Sequence, residues 1–428
     1  MRFDSLAEWL AWQEALHPTE MDFGLDRSRA VLGRLGWPSD ELPLISVAGT
    51  NGKGSTVAYL EQMFLASGYR VCAHTSPHLL RYNERIRLDG EPANDLSLVS
   101  QFAAIDAARG ETSLTYFEFA TLAAAGVARA NQVDIALFEV GLGGRLDAVN
   151  LFDAGVAVIT AIGIDHVDYL GSDREQIGAE KAGILRRGRP VVIGDRSPPA
   201  SVLEAARTLD APTYRLGVDF EVEHDRTDWR WVSDNHCVDS LRSPMGGTEV
   251  QFDNAATAIM AARLMHPSIS AEAVRRGVST ARLTGRFQIV ATEPEIIVDV
   301  GHNEDACGQL ARSLRARPIA GRTHAVLGML SDKQHRRALL ACHDAFHQWH
   351  LATLSGSRGA AATALAESLP ASVSPEHVRC YDDPLSAFKA ALASAGRSDR
   401  IVVFGSFRTV GAVMNHPMIS PTLNRIGY

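Results

Sequence analysis

The 428-residue sequence has no excess of basic charge: 42 Lys and Arg face 50 Asp and Glu, for a formal net charge of -8. A sequence-independent nucleic-acid binder needs the opposite balance, so no nucleic-acid partner is expected. Long apolar runs are also missing. Ala154–Ile164 is among the longest and falls well short of the ~20 residues that cross a bilayer. Met1–Leu10 has no basic stretch followed by an apolar core, so neither a membrane span nor an export signal is expected. Cysteine is sparse: Cys72, Cys237, Cys307, Cys342 and Cys380 are widely spaced and never form C-x-x-C, which suits a reducing cytoplasm and buried structural thiols. No internal repeat or low-complexity tract stands out. What remains is an ordinary globular composition, 46% hydrophobic and 21% charged, long enough for two or three domains.

Apolar strand-like runs alternate with helical patterns. Leu44–Ala48, Tyr69–Ala73, Asp134–Val140 and Gly155–Ile162 read as strands, and Ser55–Ala66 and Asp173–Leu185 as helices. That alternation predicts an α/β fold with a mostly parallel sheet. Around Glu221–Asp239, shorter alternating segments with Trp229 and Trp231 suggest a small antiparallel insertion on that sheet. A second α/β series, smaller and Rossmann-like, begins near Glu295 with strands at Ile296–Val300, His324–Leu327, Trp349–Thr353 and Arg400–Phe404. The expected division is residues 1–285 and 286–428, with Leu283–Pro294 as the linker.

Ile45–Thr56 passes from an apolar strand through a Gly-rich turn into a helix. Glycines let backbone N–H groups approach phosphate oxygens, the helix N-terminus adds partial positive charge, and Lys53 supplies a full one. Thr50, Asn51, Gly52, Lys53, Gly54 and Ser55 are therefore the candidate nucleotide-binding residues of a P-loop. The strict G-x-x-x-x-G-K-[ST] spacing would need Gly at Val47 and a hydroxyl at Gly54, so Ser55, Thr56 or another segment would have to reach a metal ion.

With Gly49–Ser55 in view, further segments follow in order: Thr75–Leu79, Thr115–Phe119, Glu139–Ala148, Asp165-His166, Glu180–Gly183, Gly285–Phe287 and Asp299–Asn303. Together they resemble the folylpolyglutamate synthase family, related to the Mur ligases of cell-wall synthesis, over nearly the whole chain. The likeness is greatest to bacterial members with two activities. It implies a P-loop Mur-ligase-like ATPase domain followed by a smaller α/β domain. The implied chemistry is ATP-dependent ligation, in folate biosynthesis, of L-glutamate to dihydropteroate and to the γ-carboxyl of reduced folates. A carboxylate takes the γ-phosphoryl group of ATP, and the glutamate amine attacks the acyl phosphate.

Phosphoryl transfer between anions calls for Mg²⁺, two ions by the resemblance, with ATP as co-substrate. Glu139 ends an apolar strand at the sheet edge where ligands collect. Ser76 and His166 also follow strand-like runs, and the resemblance makes all three metal ligands. Spacing alone leaves Ser76 a cap before Pro77 and His166 a turn residue as alternatives. Lys181 by spacing is a solvent lysine paired with Glu180 or Glu175. The resemblance makes it a CO₂-derived carbamate and a metal ligand, a change that needs an amine whose charge burial or nearby cations disfavour.

Asn254 matches an adenine-binding position, with a helix-start cap as the alternative. Arg286 matches an arginine reaching ATP phosphates, and Asp299 a nucleotide-binding aspartate. His302 would orient the acyl phosphate or the glutamate, with a structural His as the alternative. The family commonly shows Asp-x-Ala-His-Asn-Pro where this chain has Gly301 and Glu304. For the pterin the resemblance points to Asp22, Phe23, Gly24, Leu25, Thr115, Tyr116, Phe117, Glu118, Leu146, Asp147 and Ala148. Phe117 offers a stacking face, and carboxylates suit an aminopyrimidine edge. Lys53, Lys181 and His302 are the catalytic candidates. The expected partners are small molecules only, handled by a cytoplasmic monomer. Readings that stay open are a folylpolyglutamate synthase without dihydropteroate activity, a Mur-type peptide ligase and a P-loop switch protein. Ligation also calls for closure of the two domains over the linker, to keep the acyl phosphate from water.

Overall fold

Strands that are apolar at nearly every position are those buried on both faces, and three such strands form the centre of the larger sheet. They are β1 (Leu44–Ala48), β5 (Ile135–Glu139) and β6 (Val156–Ile159), buried along their whole length. The computed structural model describes residues 2–19, 22–224, 228–234, 236–417 and 419. Around these three, β2 (Val71–His74), β3 (Ile86–Leu88), β4 (Glu91–Pro92), β7 (Val191–Ile193) and β8 (Thr213–Arg215) complete an eight-stranded sheet ordered β4-β3-β2-β5-β1-β6-β7-β8. The run β2 to β8 is parallel; only β3 and β4 are antiparallel additions.

Register fixes what meets at the carboxyl edge. Val47 pairs with Glu139, His74 with Phe138, and Ala48 with Ile159. The turns after β1, β2, β5 and β6 therefore leave the sheet on one side, which is where ligands bind in open parallel sheets.

The tryptophan-rich stretch forms its own sheet, β9 (Phe220–His224), β10 (Trp229–Ser233) and β11 (His236–Leu241), rather than extending the large one. Trp229 and Trp231 point to one buried face while Arg230 between them is exposed, the period-two pattern of a half-buried strand.

The smaller sheet contains β12 (Gln288–Thr292), β13 (Glu295–Asp299), β14 (Thr323–Leu327), β15 (Gln348–Ala352), β16 (Val378–Tyr381) and β17 (Arg400–Phe404), in the order β12-β13-β17-β14-β15-β16. It is parallel apart from β12, which pairs antiparallel with β13. The expected linker Leu283–Pro294 is thus largely a strand. Val290 is buried, and a two-residue turn at Glu293-Pro294 returns the chain into β13 as a hairpin. Its core includes Ile297, Leu310, Leu327, Trp349 and Leu351, with Phe346 and Phe404 stacked at 5.2 Å between centroids.

By compactness the chain divides into one unit of residues 1–163 and 170–282, and a second of 164–169 and 283–428. The boundary falls at Arg282/Leu283, and a six-residue segment from the middle of the first unit's sequence belongs to the second. Three of the five cysteines, Cys72, Cys307 and Cys342, are buried as expected; Cys237 and Cys380 are exposed, and all five are free thiols. Among the described residues no helix is long and apolar enough to cross a membrane.

Candidate functional site

The Gly-rich turn after β1 leads into a helix, Lys53–Ala66, capped by Gly52 in a left-handed conformation (φ 92°). Such a φ favours glycine. A Cβ at Gly52 would lie 2.3 Å from Asn254 Oδ1, so this turn and Asn254 are packed in contact. Asn254 is in the second turn of the helix Glu249–Met265, whose cap is Thr248, so it is not a helix-start cap. Asn254 is buried, and its Nδ2 has no hydrogen-bond partner. An orphaned donor beside a phosphate-type loop is what a nucleotide acceptor would satisfy.

The turn is held from behind. Thr50 and Asn51 N–H groups donate to the Ala161 carbonyl at 2.8 and 3.2 Å, Thr50 Oγ1 donates to Gly163 O at 3.0 Å, and Thr160 Oγ1 donates to Asn51 O at 2.8 Å. Lys53 Nζ lies 3.1 Å from Gly49 O and 3.3 Å from Thr50 O, so its ammonium stays within the loop. Lys53, Gly54 and Ser55 form the helix's first turn, where backbone N–H groups have no intrahelical acceptor. The Ser55 and Thr56 hydroxyls are engaged elsewhere: Ser55 Oγ accepts from Gln251 Nε2 at 3.1 Å, and Thr56 Oγ1 donates to Gly52 O at 3.0 Å. Each hydroxyl oxygen keeps a lone pair, so both remain candidates for the metal-facing hydroxyl that the irregular P-loop spacing called for. Gln251 itself escaped sequence reasoning, since a buried glutamine one turn before Asn254 carries no motif signal.

At the same edge, Glu139 ends β5 and is buried, and the Ser76 N–H donates to its Oε2 at 3.3 Å. Lys181 closes the helix Arg174–Ala182 and is buried, 3% exposed, so it is not a solvent lysine. Glu180 pairs instead with Arg145, and Glu175 accepts the Ala200 and Ser201 N–H groups. A Cβ at Gly144 would lie 3.0 Å from Lys181 Cα, which packs this lysine's backbone against the loop that leaves Glu139. Across that loop the Asp147 oxygens accept N–H groups of Leu142 and Val149 at 2.9 Å each. Burial pushes its carboxyl up to about 6, against those N–H groups, that of Gly141 and the Lys53 charge.

The pterin candidates fall into two groups. Phe117 packs on Gly141, where a Cβ would come within 2.7 Å of its ring, and Asp147 and buried Ala148 follow on the same loop, with half-buried Leu146 before them. The Asp147 oxygens hold the N–H groups of Leu142, Val149 and Gly141, and a carboxylate has about four acceptor sites, so one remains. The second group is structural in its contacts. Thr115 caps the helix Tyr116–Ala130 in a capping box with Glu118. The buried Glu118 carboxylate is occupied by Thr115 N–H at 2.7 Å, Ser28 Oγ at 2.8 Å and Arg27 at 3.2 Å. Arg27 also holds Asp22 at 2.7 Å, which ties the Asp22–Leu25 segment to Glu118, with Gly24 at φ 152° and Phe23 37% exposed. Tyr116 lies under the Arg85 guanidinium at 5.3 Å.

In the second unit the Asp299 oxygens accept Phe287 N–H at 2.8 Å and Gly301 N–H at 2.7 Å, so this carboxylate latches the Gly285–Phe287 segment and its own loop. Burial raises the Asp299 carboxyl, and the nearby Arg286 charge opposes the rise. Arg286 lies over the Phe407 ring at 5.3 Å rather than on a bare surface. Asn303 caps the next helix, so Gly301 and Glu304 leave the loop ordered by side-chain ties at both ends.

Beside it is a cluster that sequence reasoning did not assemble. Lys333 Nζ is 2.7 Å from Asp165 Oδ1 and 3.1 Å from His166 Nε2, and His302 Nε2 is 3.3 Å from Asp165 Oδ2. His302 Nδ1 lies 2.9 Å from Val300 O, so both ring nitrogens face oxygen acceptors. Burial alone would raise the Asp165 carboxyl; hydrogen bonding and charge from His302, with the charges of Lys333 and His166, outweigh it and hold the group far below the carboxylate range. Burial lowers His166 to about 4, and its Nδ1 is buried without a partner. The strand expected through Ile162 stops at Ile159, and His166, at φ 51°, lies in the segment that belongs to the second unit. Ser76 and Glu139 are thus brought together, whereas His166 is held by Lys333. Among the described residues no three His, Cys, Asp or Glu side chains form a metal-binding group.

A phosphate-type loop at the carboxyl edge of a parallel sheet, followed by a second α/β unit with its own polar edge, defines the class of Mur-type ATP-dependent ligases. Residues 47–209 match the model of the Mur ligase middle domain, and residues 285–407 that of the Mur ligase, glutamate ligase domain. The dihydrofolate synthase/folylpolyglutamate synthase of Escherichia coli (strain K12) is 42% identical over 409 residues, 96% of this chain and 94% of the relative. The solved structure of E. coli FolC in complex with DHPP and ADP matches with a TM-score of 0.91 at 40% identity, covering 99% of each chain. A bifunctional folylpolyglutamate synthase/dihydrofolate synthase solved with Mn, AMPPNP and L-glutamate matches with a TM-score of 0.88 at 41% identity, covering 96% of this chain and 97% of that one. The chain belongs to the dihydrofolate synthase/folylpolyglutamate synthase family.

Proposed function

We propose that this protein uses ATP to join L-glutamate to dihydropteroate, giving dihydrofolate, and to the γ-carboxyl of reduced folates. The observation that carries the reading is the meeting, at one sheet edge, of the Gly49–Ser55 turn with the orphaned Asn254 amide, alongside Glu139, Ser76 and Phe117. Backbone N–H groups of the turn and Lys53 hold the phosphates, and Asn254 Nδ2 takes a nucleotide acceptor. Phe117 gives the pterin a stacking face. By the resemblance Arg286 and Asp299 serve the nucleotide, and His302 positions the acyl phosphate or the glutamate.

Within the first unit Glu139 and Ser76 offer oxygen that suits a hard divalent cation, and buried Lys181 would contribute oxygen as a carbamate; the resemblance adds His166 as a ligand. Bound Mg²⁺ would supply neutralisation of the phosphoryl charge. Burial of Lys181 supports the carbamate, because a neutral amine is the form that reacts with CO₂ and burial disfavours the ammonium. We place the enzyme in the cytoplasm, a reading supported by its free thiols, and take it to be a monomer.

The deciding experiment supplies ATP, Mg²⁺ and glutamate with either dihydropteroate or tetrahydrofolate and follows phosphate release. Release with both acceptors is expected. Release with tetrahydrofolate alone would reduce the protein to a folylpolyglutamate synthase, and release without any carboxylate acceptor would overturn the ligase reading.

A further inference from the structure

The loop that follows β14 carries Lys333 into the cluster with Asp165, then runs through Gln334 into a short helix, His335–Leu340. Gln334, His335, Arg336, Arg337 and Leu340 line an open cleft of about 550 Å³, closed on its far side by Ser368 at the end of the helix Ala362–Glu367. No acidic side chain lines it. Arg336 and Arg337 are both exposed. Five guanidiniums of this unit pair with carboxylates: Arg315 with Asp344, Arg317 and Arg400 with Glu295, Arg358 with Asp332 and Arg397 with Glu293. Arg336 and Arg337 have no carboxylate partner among the described residues. Each of these guanidiniums presents a fork of donors that fits a carboxylate. Beside them Leu340 is 59% exposed, an apolar surface next to the charges. His335 Nε2 is 2.8 Å from the Leu330 carbonyl, which ties the cleft to the loop that carries Lys333.

We propose that this cleft binds the oligo-γ-glutamyl tail of the substrate being extended, an inference that rests on the ligase reading above. In a γ-linked chain every residue leaves one free α-carboxylate and two methylenes. That combination suits two neighbouring arginines with an exposed leucine one turn on. Nucleic acid is a poor alternative, given the net charge of -8 and a cleft of small-molecule size. The ligand class is therefore a carboxylate-bearing oligomer, and the arginines act on how substrates with longer tails are held, not on the chemical step.

The test compares the full-length protein with Arg336→Ala, Arg337→Ala and the double variant on tetrahydrofolate bearing one, two, three or four glutamates. Both side chains are exposed, so the variants are expected to fold as the parent does. The KM for the tri- and tetraglutamate should rise roughly three- to fivefold per arginine at low salt, with kcat kept. It should be unchanged for the monoglutamate, for dihydropteroate and for ATP, and the difference should shrink as ionic strength rises. An equal change for all tail lengths, no change for the long tails, or a change in the KM for ATP would overturn the cleft assignment while leaving the ligase reading intact. Absence of glutamate-dependent turnover by the parent protein with any folate would overturn the ligase reading, and this proposal with it.

Discussion

Replacing Gly52 by alanine tests the contact on which the nucleotide reading depends. The backbone there has φ 92°, which an L-residue adopts at a cost of roughly 1–3 kcal/mol. The added methyl would also lie 2.3 Å from Asn254 Oδ1, 3.1 Å from its Cγ and 3.2 Å from its Nδ2. Asn254 is buried, so its side chain has little room to withdraw, and overpacking of this kind costs a further ~1–3 kcal/mol. Were about 3 kcal/mol of the sum to oppose the phosphate-binding conformation, the affinity for ADP would fall roughly 100-fold. Calorimetric titration of ADP with Mg²⁺ reads this directly. The double variant with Asn254→Ala separates the two causes, since removing the amide relieves the collision and leaves the backbone strain. A coupling of roughly 1–3 kcal/mol between the two sites is expected. ADP binding by Gly52→Ala within about twofold of the parent, or strict additivity with Asn254→Ala, would refute the packing argument.

Two further outcomes follow from buried groups. Lys181→Ala should lower kcat by at least roughly 100-fold, since even outer-shell partners of a metal cost 10–100-fold; the parent should show a mass increment that disappears on acidification, and retained activity in the variant would exclude the carbamate. Burial, with the neighbouring charge of His324, lowers His350 to about 4, below its ordinary ~6.5. The unfolded chain then binds more protons between those values, so this contribution is intact above about pH 6.5 and lost as pH falls toward 4, by up to roughly 3 kcal/mol. Urea denaturation at pH 7 and pH 4.5 should show a smaller acid loss in His350→Gln than in the parent, and equal losses would count against it.

The residues most legible in the sequence are those whose chemistry is tied to local geometry. Gly52 and Lys53 declare a strand-to-helix phosphate turn by themselves, and Glu139 at the end of Ile135–Phe138 declares a carboxylate at a sheet edge. Lys181 was not legible from spacing, because a lysine between Glu180 and Ala182 on a helix has the same local pattern whether it is buried or not. The loop packed against its backbone is carried by Gly144, 37 positions earlier. Lys333 was missed for the same reason: the partner that gives it meaning, Asp165, is 168 positions away. The short strands Val191–Ile193 and Thr213–Arg215 gave too few residues to show a period. In Leu283–Pro294, Gly285 and Pro294 suggested a linker, whereas the alternation through Val290 that makes it an edge strand is visible only once β13 is there to pair with.

The segment 164–169 has a consequence for modularity. The chain passes from one unit to the other at 163/164, 169/170 and 282/283, so no single cut separates them. A fragment beginning at residue 283 would contain Lys333 and His302 without Asp165, leaving two cationic or proton-bearing groups facing an empty place in a poorly solvated interior. The C-terminal portion is therefore not a cassette to be transplanted or fused by itself. A gene encoding it alone would have to carry a substitute for six residues that, in this chain, are written more than a hundred positions earlier.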